Sequence, residues 1–221
     1  MQENHHSFQL LTQSVEHEIT PYTKHKTFKK GEALFLDGAL THYFYVIVKG
    51  KIKSYQLNLQ NAKEQTIFIF REGDMFDTII LLDGKAHDVM YEALEDTEAI
   101  ELPIEKVREL VYTNPEFNKK FFPYLAMQMR NMEELATDIS LYTTSERLIK
   151  LLLQSLDPSN VMKYNLIHGL SHTEIAKLIG TVRHVVERHL KALKEDGIID
   201  EKKRKLQILD ANKLLKKIKL I

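Results

Sequence analysis

The sequence predicts an α+β chain: an antiparallel β domain first, then one long helix, then a C-terminal helix-turn-helix with a two-stranded wing. Three observations carry this. Between Thr27 and Leu102, short apolar-alternating runs are punctuated by Gly31, Gly38, Gly50 and Gly73. From Phe117 to Ile139, apolar residues recur every three to four positions. The stretch LSHTEIAKLIGTVRHVVERHLKALKEDGIID, Leu170 to Asp200, reads as two short amphipathic helices joined at Gly180.

Taken in order, residues 1 to about 25 read as an amphipathic helical lead with Phe8, Leu10, Leu11 and Val15 as its apolar positions. The runs KTFKKGEALFLDG, THYFYVIVKGKIKSYQLN and EQTIFIFREGDMF follow as strands. Phe44, Val46 and Val48 alternate with Tyr45 and Ile47, and Ile67 to Phe70 is apolar on both faces, so these strands pack as a sandwich or roll. Val89 to Leu94 and Glu98 to Leu102 add two more strands, and Pro103 and Glu105 open a short helix. Asn114 and Pro115 supply a cap and first-turn proline for the long helix, with Pro123 expected to kink it or delay its start. Phe117, Phe121, Leu125, Met129, Met132, Leu135 or Ala136, and Ile139 form a coiled-coil-like seam, which predicts a homodimer. Polar residues from Asp138 to Ser145 predict a hinge. The expected division is therefore a β domain with its N-terminal helix over 1–113, the long helix and hinge over 114–144, and a basic domain over 145–221. Within the last, Lys163 to Ile167 reads as a strand and Asn212 to Leu220 as a closing helix.

In the C-terminal pair, Ser171 is the expected N-cap with Glu174 completing a capping box, and Ile175, Ala176, Leu178 and Ile179 form the buried side. Gly180 stands where the chain leaves the first helix. Val182, Val186, Leu190 and Leu193 line the inward face of the second helix, while His184, Arg188 and Lys191 lie opposite, beside Arg183 and Glu187. A helix built this way can enter a major groove, where its N-terminal side chains meet base edges. Arg183, His184, Glu187 and Arg188 are the candidate base readers. Candidate phosphate contacts are Ser171, His172, Thr173, Thr181 and Lys191, with Lys203, Arg204 and Lys205 at the tip of the wing after Lys202. Two such helices in a dimer would stand about 34 Å apart, facing a palindromic operator in double-stranded DNA.

Charge supports the same division of labour. Lys and Arg total 31, as do Asp and Glu, but the balance is segregated. Residues 1–144 hold 15 basic against 22 acidic side chains, net −7, and residues 145–221 hold 16 against 9, net +7. The second half is suited to a polyanion and the first is not. Cys is absent, which excludes disulfides, thiolate-held iron–sulfur clusters, cysteine-ligated haem and a cysteine nucleophile. The opening residues lack the pattern of a secretory signal and no apolar run approaches a membrane span, so a soluble, cytoplasmic protein is expected.

The order of these parts, with YVIVKGKIKSY and REGDMF in the β domain and HTEIAKLIGTVRHVVERHLKAL in the C-terminal pair, resembles the Crp/Fnr family of bacterial transcription regulators from Lys26 to Ile218. The resemblance implies a cyclic-nucleotide-binding-like β-roll, dimerisation through the long helix, and promoter recognition next to RNA polymerase. The family's reader motif, Arg-Glu-x-x-x-Arg or Val-Glu-x-x-x-Arg, falls on Arg183, His184 and Arg188, with histidine in place of glutamate. In cyclic-AMP-binding members a Gly-Glu pair and an Arg-Ser pair follow the Gly-Asp turn. Here Gly73-Asp74 is followed by Asp77 and Thr78, then by Lys85, Ala86, His87 and Asp88. No arginine is available for the cyclic phosphate, and aspartates would repel it, so cyclic AMP binding is expected to be absent. Asp77, Thr78, Lys85 and His87 form the possible effector pocket. Some family members sense gases through haem, for which His87 is the candidate here. No cofactor, metal site or catalytic residue is expected, because no histidines stand at ligand spacing and nothing resembles a nucleophile with its base. The competing reading is a β domain that binds haem or another small molecule, with a basic half that contacts anions nonspecifically.

Overall fold

The computed structural model describes residues 16–35, 38–156, 166–202 and 205–218, so the expected helical lead through Val15 lies outside the described residues. The chain forms two compact units, Met1–Gln56 with Ile67–Met132, and Leu57–Thr66 with Glu133–Ile221.

Among the described residues, the first unit contains α1 (Glu16–Ile19) and β1 (Lys24–Phe28), followed by β2 (Ala33–Leu34), β3 (Tyr43–Lys49), β4 (Lys51–Asn58), β5 (Lys63–Arg71) and β6 (Met75–Phe76). Then come α2 (Thr78–Asp83), β7 (Met90–Ala93), β8 (Thr97–Pro103), α3 (Ile104–Thr113) and α4 (Pro115–Leu141). The strands make two four-stranded sheets in the orders β1-β8-β3-β6 and β2-β7-β4-β5. All the assigned pairings are antiparallel, with Val46 opposite Ile100 on one sheet and Ser54 opposite Tyr91 on the other. Both faces of β3 are buried: Phe44 and Val46 on one and Tyr45 and Ile47 on the other join one core with Ile52, Phe76, Leu81 and Phe121. Gly50 makes the β3–β4 turn with φ +95°, and a Cβ there would stand 2.5 Å from Thr97 Oγ1 and 2.8 Å from the Asp96 carbonyl. The turn therefore needs glycine for both backbone angle and space.

Helix α4 shows the largest local departures from the sequence reading. Asn114 accepts the Phe117 N–H at 3.0 Å, and the helix starts at Pro115 and runs through Pro123, which neither delays nor interrupts it. Phe121, expected on the seam, is fully buried in the core of its own protomer, whereas Phe122 is 52% exposed. An exposed or half-exposed apolar series runs Phe122, Leu125, Met129, Met132, Ala136 and Ile139, alternating by three and four along two heptad positions, with the expected Leu135 half-buried next to Ala136.

Asp74, in the turn before β6, is only 6% exposed. Burial raises its pKa to about 6, partly offset by a hydrogen bond from the Arg71 N–H and by the Arg71 charge. Its folded value thus lies above the unfolded one, near 3.9. Between these values the folded chain keeps a proton that the unfolded chain has lost, so this group's contribution to stability falls as pH rises from about 4 to 6 and is flat beyond. A two-unit shift corresponds to about 3 kcal/mol. Comparing urea unfolding of the wild type with Asp74→Asn, the wild type should lose about that much relative to the variant between pH 4 and 7. A pH-independent difference would contradict the assignment.

The second unit contains the outer part of the β4–β5 hairpin, then α5 (Thr144–Gln154), α6 (His172–Leu178), α7 (Arg183–Glu195), β9 (Ile199–Lys202), β10 (Lys205–Ile208) and α8 (Ala211–Lys217). A capping box starts α5: Thr143 caps the Glu146 N–H while the Glu146 carboxylate accepts from the Thr143 N–H. Lys150 bridges Glu134 at 2.8 Å and Asp138 at 2.6 Å. Of the expected strand Lys163 to Ile167, the first three residues lie outside the described ones, and Leu166 and Ile167 lie in a turn. Strands β9 and β10 pair antiparallel with Ile199 opposite Ile208, which forms the wing.

Candidate nucleic-acid interface and ligand cavity

Helices α6 and α7 pack against each other across a turn centred on Gly180. Ser171 caps α6 by accepting the Glu174 N–H at 3.2 Å. Ile175, Ala176 and Ile179 are buried, and Leu178 is half-buried. Gly180 takes φ +69°, and the Thr181 N–H returns to the Ala176 carbonyl at 2.8 Å, so the chain reverses within two residues. Helix α7 then buries Val186, Leu190 and Leu193. Val182, expected on that buried face, is instead the N-cap of α7 and is 49% exposed. A residue in extended conformation before the first turn does not follow the helical face.

The opposite face of α7 exposes Arg183, His184, Arg188 and Lys191. Glu187 lies between them with its carboxylate engaged: Arg183 Nε donates to it at 2.7 Å, and His172 Nδ1 stands 3.5 Å away. The Arg183 hydrogen bond is the main reason the Glu187 pKa is lowered. His172 Nε2 also meets Glu201 Oε1 at 2.9 Å, so this side chain ties α6 to both α7 and the wing. Glu201 is held in addition by Lys194. Thr173 and Thr181 are half-buried beside these groups. Lys203 and Arg204 lie outside the described residues, while Lys202 and Lys205 are paired across the base of the wing turn. The β4–β5 hairpin reaches α6 through Glu64, whose carboxylate lies 2.8 Å from Lys177 Nζ, and Gln65, whose Nε2 donates to the Leu178 carbonyl at 3.2 Å.

In the first unit, α2, α4 and the sheet containing β4, β5 and β7 enclose a cavity of about 340 Å³. Asp77, Thr78 and His87 line it. Lys85 does not: it is exposed, and its backbone N–H closes a turn onto Asp83 at 2.9 Å. Asp77 caps α2, its Oδ1 accepting from the Ile79 and Ile80 N–H groups at 2.8 and 3.3 Å. Its Oδ2 accepts from Tyr91 Oη at 2.7 Å and meets His87 Nε2. Burial and the Asp77 charge hold the Tyr91 phenol well above its usual pKa, which keeps it protonated and donating. Thr78 Oγ1 donates to Gln128 Oε1 at 2.7 Å, linking α2 to α4. The rest of the wall is chiefly apolar: Ile67, Phe68, Phe70, Val89, Leu125, Met129 and Met132. Tyr91 and Gln128 were not foreseen. The alternation of β7 contained the signal for Tyr91, whose neighbours Met90 and Glu92 turn the other way.

Residues 25–114 match the model of the cyclic nucleotide-binding domain, and residues 146–217 match that of the Crp-like helix-turn-helix domain. The chain belongs to the Crp/Fnr family of transcription regulators. Among its relatives, the cyclic AMP receptor protein of Thermus thermophilus is 28% identical over 182 residues, 80% of each chain. The global nitrogen regulator of a Nostoc species is 28% identical over 188 residues, 83% of this chain and 84% of the relative. In fold, it is similar to FixK2 from Bradyrhizobium japonicum, with a TM-score of 0.72, 20% identity, and coverage of 88% of this chain and 96% of that one. A CooA mutant from Carboxydothermus hydrogenoformans gives a TM-score of 0.72 at 21% identity, covering 88% and 87%. As a Crp/Fnr regulator the chain carries a DNA-binding helix-turn-helix, α6 and α7, behind a cyclic-nucleotide-binding-type β domain. No Lys or Arg is among the residues that line the cavity of this Crp/Fnr member, and the Asp77 carboxylate is. Among the described residues no helix is long and apolar enough to cross a membrane, and no group of three or more His, Cys, Asp or Glu side chains forms a metal site.

Proposed function

We propose that this Crp/Fnr regulator is a cytoplasmic homodimer without enzymatic activity that recognises a palindromic operator and acts beside RNA polymerase. Helix α7 enters the major groove, with Arg183, His184, Glu187 and Arg188 toward base edges. Ser171, His172, Thr173, Thr181, Lys191 and the wing residues Lys203, Arg204 and Lys205 face the phosphates. The observation that carries this is the two-sidedness of α7: Val186, Leu190 and Leu193 are buried while Arg183, His184 and Arg188 stand exposed on the other side. Dimerisation uses the α4 series Phe122, Leu125, Met129, Met132, Ala136 and Ile139. Because Leu125, Met129 and Met132 also line the cavity, a molecule bound there touches the dimer seam directly. That shared wall supports Asp77, Thr78 and His87 as part of an effector pocket.

The test is selection of a binding site from random duplexes, followed by fluorescence anisotropy on the selected and a shuffled sequence. A preference of at least about 10³ at physiological salt is expected; comparable affinities would defeat the proposal. The effector reading has its own test. Ile79 is 55% exposed and lines the cavity. Ile79→Trp fills part of that volume and is expected to change operator affinity by about five-fold or more. Unchanged affinity would separate the cavity from DNA binding.

A further inference from the structure

We infer that the cavity takes an uncharged, largely apolar organic molecule carrying one hydroxyl-type donor, rather than a nucleotide or another anion. This rests on the reading of the cavity as an effector site and names what occupies it. The lining contains no ammonium or guanidinium group, and its one carboxylate, Asp77, is nearly buried at 6% exposure. A phosphate or carboxylate entering it would lose its hydration and meet a like charge without a counter-ion.

Most polar groups of the wall already have protein partners. Asp77 Oδ1 accepts two backbone N–H groups, and Oδ2 serves Tyr91 and His87. Thr78 Oγ1 is spent on Gln128, and Ser54 Oγ accepts the Phe68 N–H at 3.2 Å. Gln56, exposed at the wall, turns its Nε2 to the Asp88 carbonyl at 3.5 Å, so what remains for a ligand is chiefly the aromatic and thioether surface of Phe68, Phe70, Met129 and Met132, with one half-buried polar handle. That handle is His87. With its Nε2–H given to Asp77, His87 keeps an Nδ1 that has no protein partner among the described residues and can accept from a ligand. An acceptor in an apolar cavity selects a donor. As for size, an apolar cavity of about 150 Å³ holds benzene, so the 340 Å³ here suits a ring with a side chain or a second ring.

The experiment uses the full-length protein and ligand-observed NMR titrations with 2-phenylethanol, ethylbenzene, phenylacetate and cyclic AMP. The alcohol is expected to bind with a dissociation constant in the low millimolar range, in line with about nine heavy atoms at fragment efficiency. It should bind at least about 10-fold more tightly than phenylacetate, with no saturable binding of cyclic AMP. In His87→Phe the alcohol should fall to the level of ethylbenzene, with ethylbenzene unchanged. Ile79→Trp should weaken alcohol and ethylbenzene together, a control that does not depend on the histidine variant folding. Phenylacetate or cyclic AMP binding as tightly as the alcohol, or no alcohol binding at about 10 mM, overturns the inference. If the alcohol fails to bind while Ile79→Trp still shifts operator affinity, the ligand class is wrong and the effector reading stands. If it binds while operator affinity ignores Ile79→Trp, the cavity chemistry stands and the effector reading falls.

Discussion

Phe121→Ala is expected to lower the stability of the protein by about 3 to 5 kcal/mol, the cost of truncating a fully buried phenylalanine. Its ring has no exposed surface and stacks on Phe117 with centroids 5.5 Å apart. The adjacent substitution, Phe122→Ala, should behave differently. At 52% exposure this ring leaves little cavity in the protomer, so unfolding at low protein concentration should shift by less than about 1 kcal/mol. Its loss should appear instead in self-association, as a weaker dimer by sedimentation velocity. The pair is informative because the two rings are neighbours in sequence and opposite in consequence. If Phe122→Ala unfolds the chain and leaves association unchanged, the seam through Phe122, Met129 and Ala136 is misassigned.

Arg188→Ala should cost about 1 to 3 kcal/mol on the selected operator, a ten- to hundred-fold rise in dissociation constant, with a much smaller effect on shuffled DNA. Arg188 is exposed on α7 one turn beyond His184, and a guanidinium there can reach O6 and N7 of guanine as a fork. Arg183 is a weaker choice for the same test, because its Nε is bonded to Glu187 at 2.7 Å and that pair must rearrange for either group to meet a base. Equal losses on both duplexes would make Arg188 a phosphate contact. The salt dependence gives a second reading, since a lost phosphate contact lowers the slope by about one and a lost base contact does not.

The helix-turn-helix was legible because each of its signals is local. A cap at Ser171, a glycine at the reversal and a three-four apolar spacing specify the two helices without reference to the rest of the chain. The β domain was legible as strands, because Gly50 and Gly73 mark turns that need positive φ. What failed were choices between neighbours. Phe121 and Phe122 are one residue apart on a helix that has a core side and an exposed side, and a period of three to four accommodates either one. Val182 fits the spacing of α7 but precedes its first turn. At the cavity, Asp77, Lys85 and His87 were all read from positions that the family pattern marks after the Gly-Asp turn; the structure lines the cavity with Asp77 and His87 and leaves Lys85 exposed outside it. Tyr91 and Gln128 approach Asp77 and Thr78 across 14 and 50 residues of chain, and no local pattern encodes such a meeting.

The reversal at Gly180 has one more implication. A Cβ at this position would lie 2.8 Å from Gln65 Oε1 and 3.1 Å from Arg147 Nη1. Asparagine, the usual substitute where φ is positive, would satisfy the backbone and still intrude on both groups. The backbone angle is what holds glycine here, because the Gln65 and Arg147 atoms are the ends of flexible side chains that can turn aside. Mutational drift at this one position would therefore act first on the angle at which the chain enters the reading helix, with the Gln65 side chain at the hairpin tip moving aside in consequence.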